Sequence, residues 1–265
     1  MIRKLSEADR EPLMALLRKD PAINLFIIGD IENFGFEQDF MELWGELDDR
    51  NGQLKAVLLR FYGSYLPYAD GPYNAAGFAE VIREGGKSEM ISGSAQVAQA
   101  LTEHLSFRTE KQLLFAELTE MNEEIRTAAA SPGDIKKATV HDVEAICSLT
   151  DQIGEFLSSR KESRKSLLKT LDSGTGRTYF MEMDGKVIVT ASTTAENSMS
   201  AMVVAVATHP DYRGKGLAKH VVARLCGDLL AEGRSLCLFY DNPNAGLIYK
   251  KLGFKDVGFW SMYYL

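Results

Sequence analysis

Nine consecutive residues at positions 199–207, Met-Ser-Ala-Met-Val-Val-Ala-Val-Ala, hold a single polar side chain, Ser200. The run is too short to cross a bilayer, which takes about 20 apolar residues. It is also too continuous for a strand with one wet face, where apolar and polar residues alternate. It predicts a central strand covered on both faces. A loop at 208–216 follows, with Pro210, Gly214 and Gly216. Beyond it, apolar pairs recur every four residues at Leu217/Ala218, Val221/Val222, Leu225/Cys226 and Leu229/Leu230. That spacing predicts a helix with one buried stripe. A buried strand running through a glycine loop into an amphipathic helix makes the chain an α/β protein.

The rest of the second half fits around this unit. A strand is expected at 135–138, then a helix capped by Thr139, a helix at 164–171 and a strand at 178–183. Asp184-Gly185 is a hairpin turn into a strand at 186–193. After a strand at 235–240, Asn242 and Pro243 open a helix as N-cap and first residue, and Gly253 closes it. One or two strands complete 254–265. The first half repeats the order without evident identity: strand 2–5, helices 6–19 and 23–34, strands 40–46, 53–61 and 64–68, helix 73–83, strand 87–91, helix 94–105, strand 113–118. Two copies of one architecture are therefore expected, as domains 1–125 and 135–265. Each would be a mixed, mostly antiparallel sheet flanked by helices. The stretch at 126–134, small and polar and ending at a Pro-Gly turn signal, is read as the linker.

Charge divides at the same place. Net charge is −7, with 13 Lys and Arg against 22 Asp and Glu in residues 1–130, and 17 against 15 in residues 131–265. An acidic chain lacks the basic field that releases counterions from nucleic acid, so no nucleic-acid partner is expected. No apolar leader core follows Met1, and no membrane span is expected. Three cysteines, Cys147, Cys226 and Cys237, sit in apolar stretches and read as buried thiols in a cytoplasmic chain. No CxxC pair exists and the four histidines do not cluster, so no metal is expected.

The loop at 208–216 carries the chemistry. Amides at a glycine loop and helix start converge on one space, and the helix N-terminus adds partial positive charge, which suits phosphate. The nucleotide P-loop needs GxxxxGK[ST], and here Gly216 follows Gly214-Lys215; the GxGxxG fingerprint lacks its third glycine. What stands there is Arg213-Gly214-Lys215-Gly216-Leu217-Ala218. It resembles the acetyl-CoA pyrophosphate loop of the GNAT N-acetyltransferases, [Gln/Arg]-x-x-Gly-x-[Gly/Ala]. Upstream, Val206-Ala207-Thr208-His209-Pro210 resembles the end of that family's fourth strand. Downstream, Asn242-x-x-Ala245-x-x-x-Tyr249-x-x-x-Gly253-Phe254 resembles its second cofactor motif. The likeness covers about half the chain. In the first half, the equivalent stretch Ala69-Asp70-Gly71-Pro72-Tyr73 offers no cofactor loop, so that copy looks degenerate.

The resemblance implies a tandem acetyltransferase with acetyl-CoA in the second domain and the first domain shaping the acceptor cleft. It implies main-chain contacts from Val206, Ala207 and Thr208 to the pantetheine arm. Pyrophosphate contacts are implied for Gly214, Lys215, Gly216, Leu217, Ala218 and Lys219, with Arg213 shaping the loop start. Asn242 is implied at the cofactor, as a helix cap, or as both. Tyr249 is implied as the general acid for the departing thiolate. Some relatives carry a glutamate on the strand before Asn242, but residues 235–240 hold no carboxylate. Glu182 is the weak candidate for a base; His209 reads as exposed, and Cys237 as a core thiol rather than a nucleophile. The expected function is acetyl transfer from acetyl-CoA directly to a primary amine of a small molecule or peptide, without metal. The alternative is a non-catalytic acyl-CoA-binding sensor or interaction module.

Overall fold

The computed structural model describes residues 1–86, 88–130, 134–154 and 160–265. In chain order the elements are β1 (Ile2–Lys4), α1 (Arg10–Leu17), α2 (Leu25–Phe34), β2 (Met41–Leu47), β3 (Leu54–Phe61), β4 (Ser64–Ala69), α3 (Ala75–Glu84), β5 (Met90–Ser94), α4 (Ala95–Thr102) and β6 (Thr109–Leu118). They continue as α5 (Glu123–Ala129), β7 (Ile135–Lys137), α6 (Val143–Thr150), α7 (Arg160–Ser173), β8 (Thr178–Met183), β9 (Lys186–Thr194), β10 (Ser200–Thr208), α8 (Leu217–Ala231), β11 (Ser235–Tyr240), α9 (Pro243–Lys251) and β12 (Lys255–Tyr264). The expected mixed, mostly antiparallel sheet flanked by helices is what forms. Among the described residues no helix is long and apolar enough to cross a membrane.

Contacts divide the chain into one unit of Met1–Phe115 with Asp256–Leu265, and another of Ala116–Lys255. In the first unit β1 to β4 form an antiparallel meander, with Arg3 opposite Gly45, Leu43 opposite Leu59 and Leu58 opposite Pro67. β4 then pairs with β5 in parallel through Tyr65 and Ile91, and β12 runs antiparallel to β5 with Tyr263 opposite Ile91. Phe78 and Ile82 of α3 and Leu101 of α4 pack on Leu58, Tyr65, Ile91 and Tyr263. The last strand was expected with residues 135–265; its hydrogen bonds to β5 put it in the first unit instead.

The second unit orders its strands β11-β10-β9-β8-β7, all antiparallel except the β10–β11 pair. Consecutive strand residues face opposite ways. Phe180 of β8 therefore joins Ile146 and Leu149 of α6, with Leu167 and Leu171 of α7 packed alongside. Its neighbour Tyr179 turns to the other side, where its hydroxyl donates to Asp228 of α8 at 2.5 Å. The three cysteines are buried thiols outside any disulfide, as expected.

The stretch read as a linker is partly helix. Asn122 caps α5 by accepting from the Ile125 amide at 2.9 Å, and its own amide donates to the Leu252 carbonyl at 2.8 Å. Ile125 and Ala128 are buried. α5 lies against α8 beside Gly227, where a Cβ would stand in ordinary contact 3.7 Å from Ile125. Residues 131–133 of the expected linker lie outside the described residues.

A buried ionic cluster holds one end of this sheet. Arg177, just before β8, donates to Glu196 from Nε at 3.0 Å and Nη2 at 2.9 Å, and to Glu232 from Nη1 at 2.6 Å. Arg234, just before β11, donates to Glu196 at 2.9 Å and also bonds Glu232. Glu196 in the β9–β10 turn is the most buried member, with its side chain 5% exposed. The cluster fixes the starts of β8 and β11 and the turn into β10 together.

Candidate functional site

From that fixed end, β10 and β11 run in parallel through Ser200↔Ser235, Ala201↔Leu236 and Met202↔Cys237. The pairing stops there, although β10 continues to Thr208 and β11 to Tyr240. A bulge between Val204 and Ala207 bends β10 at this point, and Ala205 takes a left-handed φ of +51°. A non-glycine residue there costs about 1–2 kcal/mol, which the flanking pairs Val204↔Ser192 and Ala207↔Thr190 hold in place. The edge of β10 toward β11 is thus open over Val206, Ala207 and Thr208.

The loop after β10 is built from small local bonds. His209 caps a single 3-10 turn, Pro210–Tyr212, its Nδ1 accepting from the Asp211 amide at 3.3 Å. Its side chain is 21% exposed, and its ring lies edge-on to Tyr212. Arg213 donates from Nε to the Thr208 carbonyl at 3.2 Å, tying the loop start to the strand end. Gly214 and Gly216 both have φ of +75°, and a Cβ at either would meet nothing within 4 Å. Glycine is there for the backbone conformation, and the space in front of the loop is open. The amides of Gly214, Lys215, Gly216, Leu217 and Ala218 have no hydrogen-bond partner among the described residues; the next one, Lys219, bonds Gly216 O at 3.2 Å. Five free amides at the positive end of a fifteen-residue helix make an anion cradle.

The two lysines are otherwise engaged than sequence suggested. Lys215 Nζ lies 4.7 Å from the centroid of the Tyr212 ring. Lys219 pairs with Glu124 of α5. His220 Nδ1 stands 3.0 Å from the Ala128 carbonyl, a second tie between α5 and the start of α8. Sequence reading missed α5 as part of this site. The signal was present in Asn122 followed by two glutamates and apolar residues three apart.

α9 faces the loop's strand from β11. Asn242 caps it, accepting from the Asn244 amide at 2.9 Å. Gly246 lets α9 press onto Tyr240, whose ring carbon would be 2.5 Å from any Cβ there. Tyr249 is thereby buried between Tyr240 and Phe254, with centroids at 6.0 and 5.9 Å. Burial pushes its phenol up to about 12, and its hydroxyl bonds no described residue. Glu182 stands elsewhere. It accepts from Lys136 at 2.9 Å on β8, three strand spacings of about 4.8 Å from β11. Burial pushes the Cys226 thiol up, which suits a core thiol. A cavity of about 190 Å³ opens between α6, α7, β9 and the bulged residues Val204 and Ala205.

A family model described as GNAT acetyltransferase matches residues 170–263. An uncharacterized N-acetyltransferase, ycf52, of Gracilaria tenuistipitata var. liui is 29% identical over 117 residues, 43% of this chain and 61% of that protein. The protein of the same name from Pyropia yezoensis is 27% identical over 119 residues, 45% of this chain and 66% of its own length. The chain thus spans less than two thirds of these relatives. Among solved structures, a tandem GNAT protein from the clavulanic acid biosynthesis pathway covers 100% of this chain and 98% of its own, at TM-score 0.63 and 14% identity. A GNAT-family acetyltransferase from Colwellia psychrerythraea covers 100% and 99%, at TM-score 0.59 and 15% identity. At those identities the likeness is one of fold.

Proposed function

We propose, from the match of residues 170–263 to the GNAT acetyltransferase family model, that the chain is an N-acetyltransferase moving acetyl from acetyl-CoA directly to a primary amine of a small molecule or peptide. The observation that carries the reading is the set of five unpartnered amides from Gly214 to Ala218 around two left-handed glycines. They offer a pyrophosphate several donors without a side chain in the way. The open edge at Val206, Ala207 and Thr208 offers main-chain groups to an extended pantetheine arm as an added strand would. Acetyl-CoA supplies a thioester carbonyl carbon: the amine lone pair bonds to it, the C–S bond breaks, sulfur keeps the pair as a thiolate and takes a proton from solvent, and the amine proton passes to solvent.

In this reading Tyr249 holds the departing sulfur by a hydrogen bond. A phenol near 12 stays protonated at neutral pH. Giving its proton outright to a thiolate of ordinary pKa, about 8.5, would be uphill by about 5 kcal/mol at 1.36 kcal/mol per unit. Donation without transfer avoids that. Arg213 and Asn242 act as positioning residues, through the loop start and the α9 cap. With β11 free of carboxylates and Glu182 held by Lys136, the amine enters neutral or loses its proton to water.

Gly216→Val tests the cradle. Valine at φ +75° carries strain of about 1–2 kcal/mol, relieved only by turning the loop amides away. Calorimetry should show acetyl-CoA affinity falling at least tenfold, about 1.4 kcal/mol, with the thermal midpoint within a few degrees of the parent. An unchanged affinity in a folded variant overturns the cradle. Donor binding with no thiol release from any amine would leave a binding module instead of an enzyme.

A further inference from the structure

Among the described residues, the cavity beside the bulge is lined by no charged side chain, and its polar groups are hydroxyls and the Cys147 thiol. Four of these already donate inside the protein or share a bond with it. Thr150 donates to the Cys147 carbonyl at 3.1 Å and Thr190 to that of Tyr179 at 3.4 Å. Ser192 shares a bond with Thr178 at 2.8 Å, and Thr193 donates to Glu196. Ser166 and Thr170 on α7 and Thr194 at the end of β9 line the same space, and no hydrogen bond of their hydroxyls is seen among the described residues. Each can donate and accept. The floor, Val204 and Ala205, is the bulged piece of β10 next to the open edge.

We propose that this cavity holds the body of the acceptor, and that it selects an uncharged, polyhydroxylated amine such as an amino sugar or amino alcohol. The inference rests on the acetyl-transfer reading above. An acceptor with a second ammonium or a carboxylate in the cavity would meet no charged lining side chain among the described residues to offset its desolvation. An apolar body would leave the hydroxyls of the half-buried Thr170 and Thr194 without partners. Alcohols answer both demands, because they too donate and accept. A volume of about 190 Å³ is on the order of six waters at 30 Å³ each, enough for a small sugar ring reaching toward the mouth. Thr170 and Thr194 act as specificity residues; neither is assigned to the transfer itself.

The test uses the full chain with saturating acetyl-CoA and follows thiol release with four amines. Glucosamine is the probe. Cyclohexylamine is its counterpart without hydroxyls, putrescine adds a second cation, and glutamate adds carboxylates. The expected kcat/KM for glucosamine exceeds each of the others at least tenfold. In Thr194→Val and Thr170→Val, which keep the side-chain shape, the ratio of glucosamine to cyclohexylamine should fall about tenfold, chiefly through KM for glucosamine. Faster turnover of putrescine or glutamate, or a ratio unmoved in both variants, overturns the inference while leaving acetyl transfer standing. No release with any of the four, with the donor bound by calorimetry, overturns it too; failure of donor binding itself is failure of the underlying reading.

Discussion

Glu196→Ala should lower the unfolding free energy by about 3–5 kcal/mol, the scale found when one partner of a buried ion pair is removed. Arg177 and Arg234 both donate to this carboxylate, with side chains only 11% and 17% exposed. Without it, two guanidiniums are left sharing Glu232 at the surface. Urea unfolding measures the loss directly, and Glu196→Gln, which keeps the shape and one acceptor oxygen, should fall between. Acid should probe the same cluster. The arginines hold the Glu232 carboxyl at about 2, below its ordinary 4.5. A depressed carboxyl stabilises fully above its unfolded value and loses that contribution as pH falls. The parent should therefore weaken between about pH 4.5 and pH 2, and the slope there should be shallower in Glu232→Gln. A loss under 1 kcal/mol for Glu196→Ala would mean the cluster does not hold this end of the sheet.

Tyr249→Phe should cut turnover about 10²-fold, the value of a hydrogen bond to a charged group at about 2–3 kcal/mol. The ring stays between Tyr240 and Phe254, so acetyl-CoA affinity and thermal stability should hold. The split matters more than the size. Lost turnover with retained donor affinity identifies a group that acts on the departing sulfur. Parent turnover would leave Tyr249 as a packing residue, and loss of both would make it part of the pocket wall.

Much of this was legible in sequence because it is local. The run at 199–207, the glycines and the four-residue spacing placed β10, the loop and α8 nearly to the residue. The GNAT likeness and the mixed sheet follow from the same stretch. What escaped depends on partners distant in the chain. Nothing in residues 255–264 says that they pair with β5 near residue 91; an apolar strand can serve either sheet, and only the register shows which. α5 looked like a linker because its buried face is two residues, Ile125 and Ala128, and its partner helix α8 is distant in the chain. Counting Lys215 and Lys219 as phosphate charges overlooked Tyr212 and Glu124, the groups they contact. The hydroxyl-lined cavity gathers residues from four elements, none forming a motif.

Amide hydrogen exchange of the full chain, with and without acetyl-CoA, tests donor binding at the loop most directly. The amides of Gly214, Lys215, Gly216, Leu217 and Ala218 make no protein hydrogen bond among the described residues, so they should exchange fast in the free protein. On adding acetyl-CoA they should become protected together, with Val206 to Thr208 following and the first-unit strand β3 unchanged. Tight binding that leaves residues 214–218 unprotected would contradict the account, because the donor would then sit somewhere other than this loop.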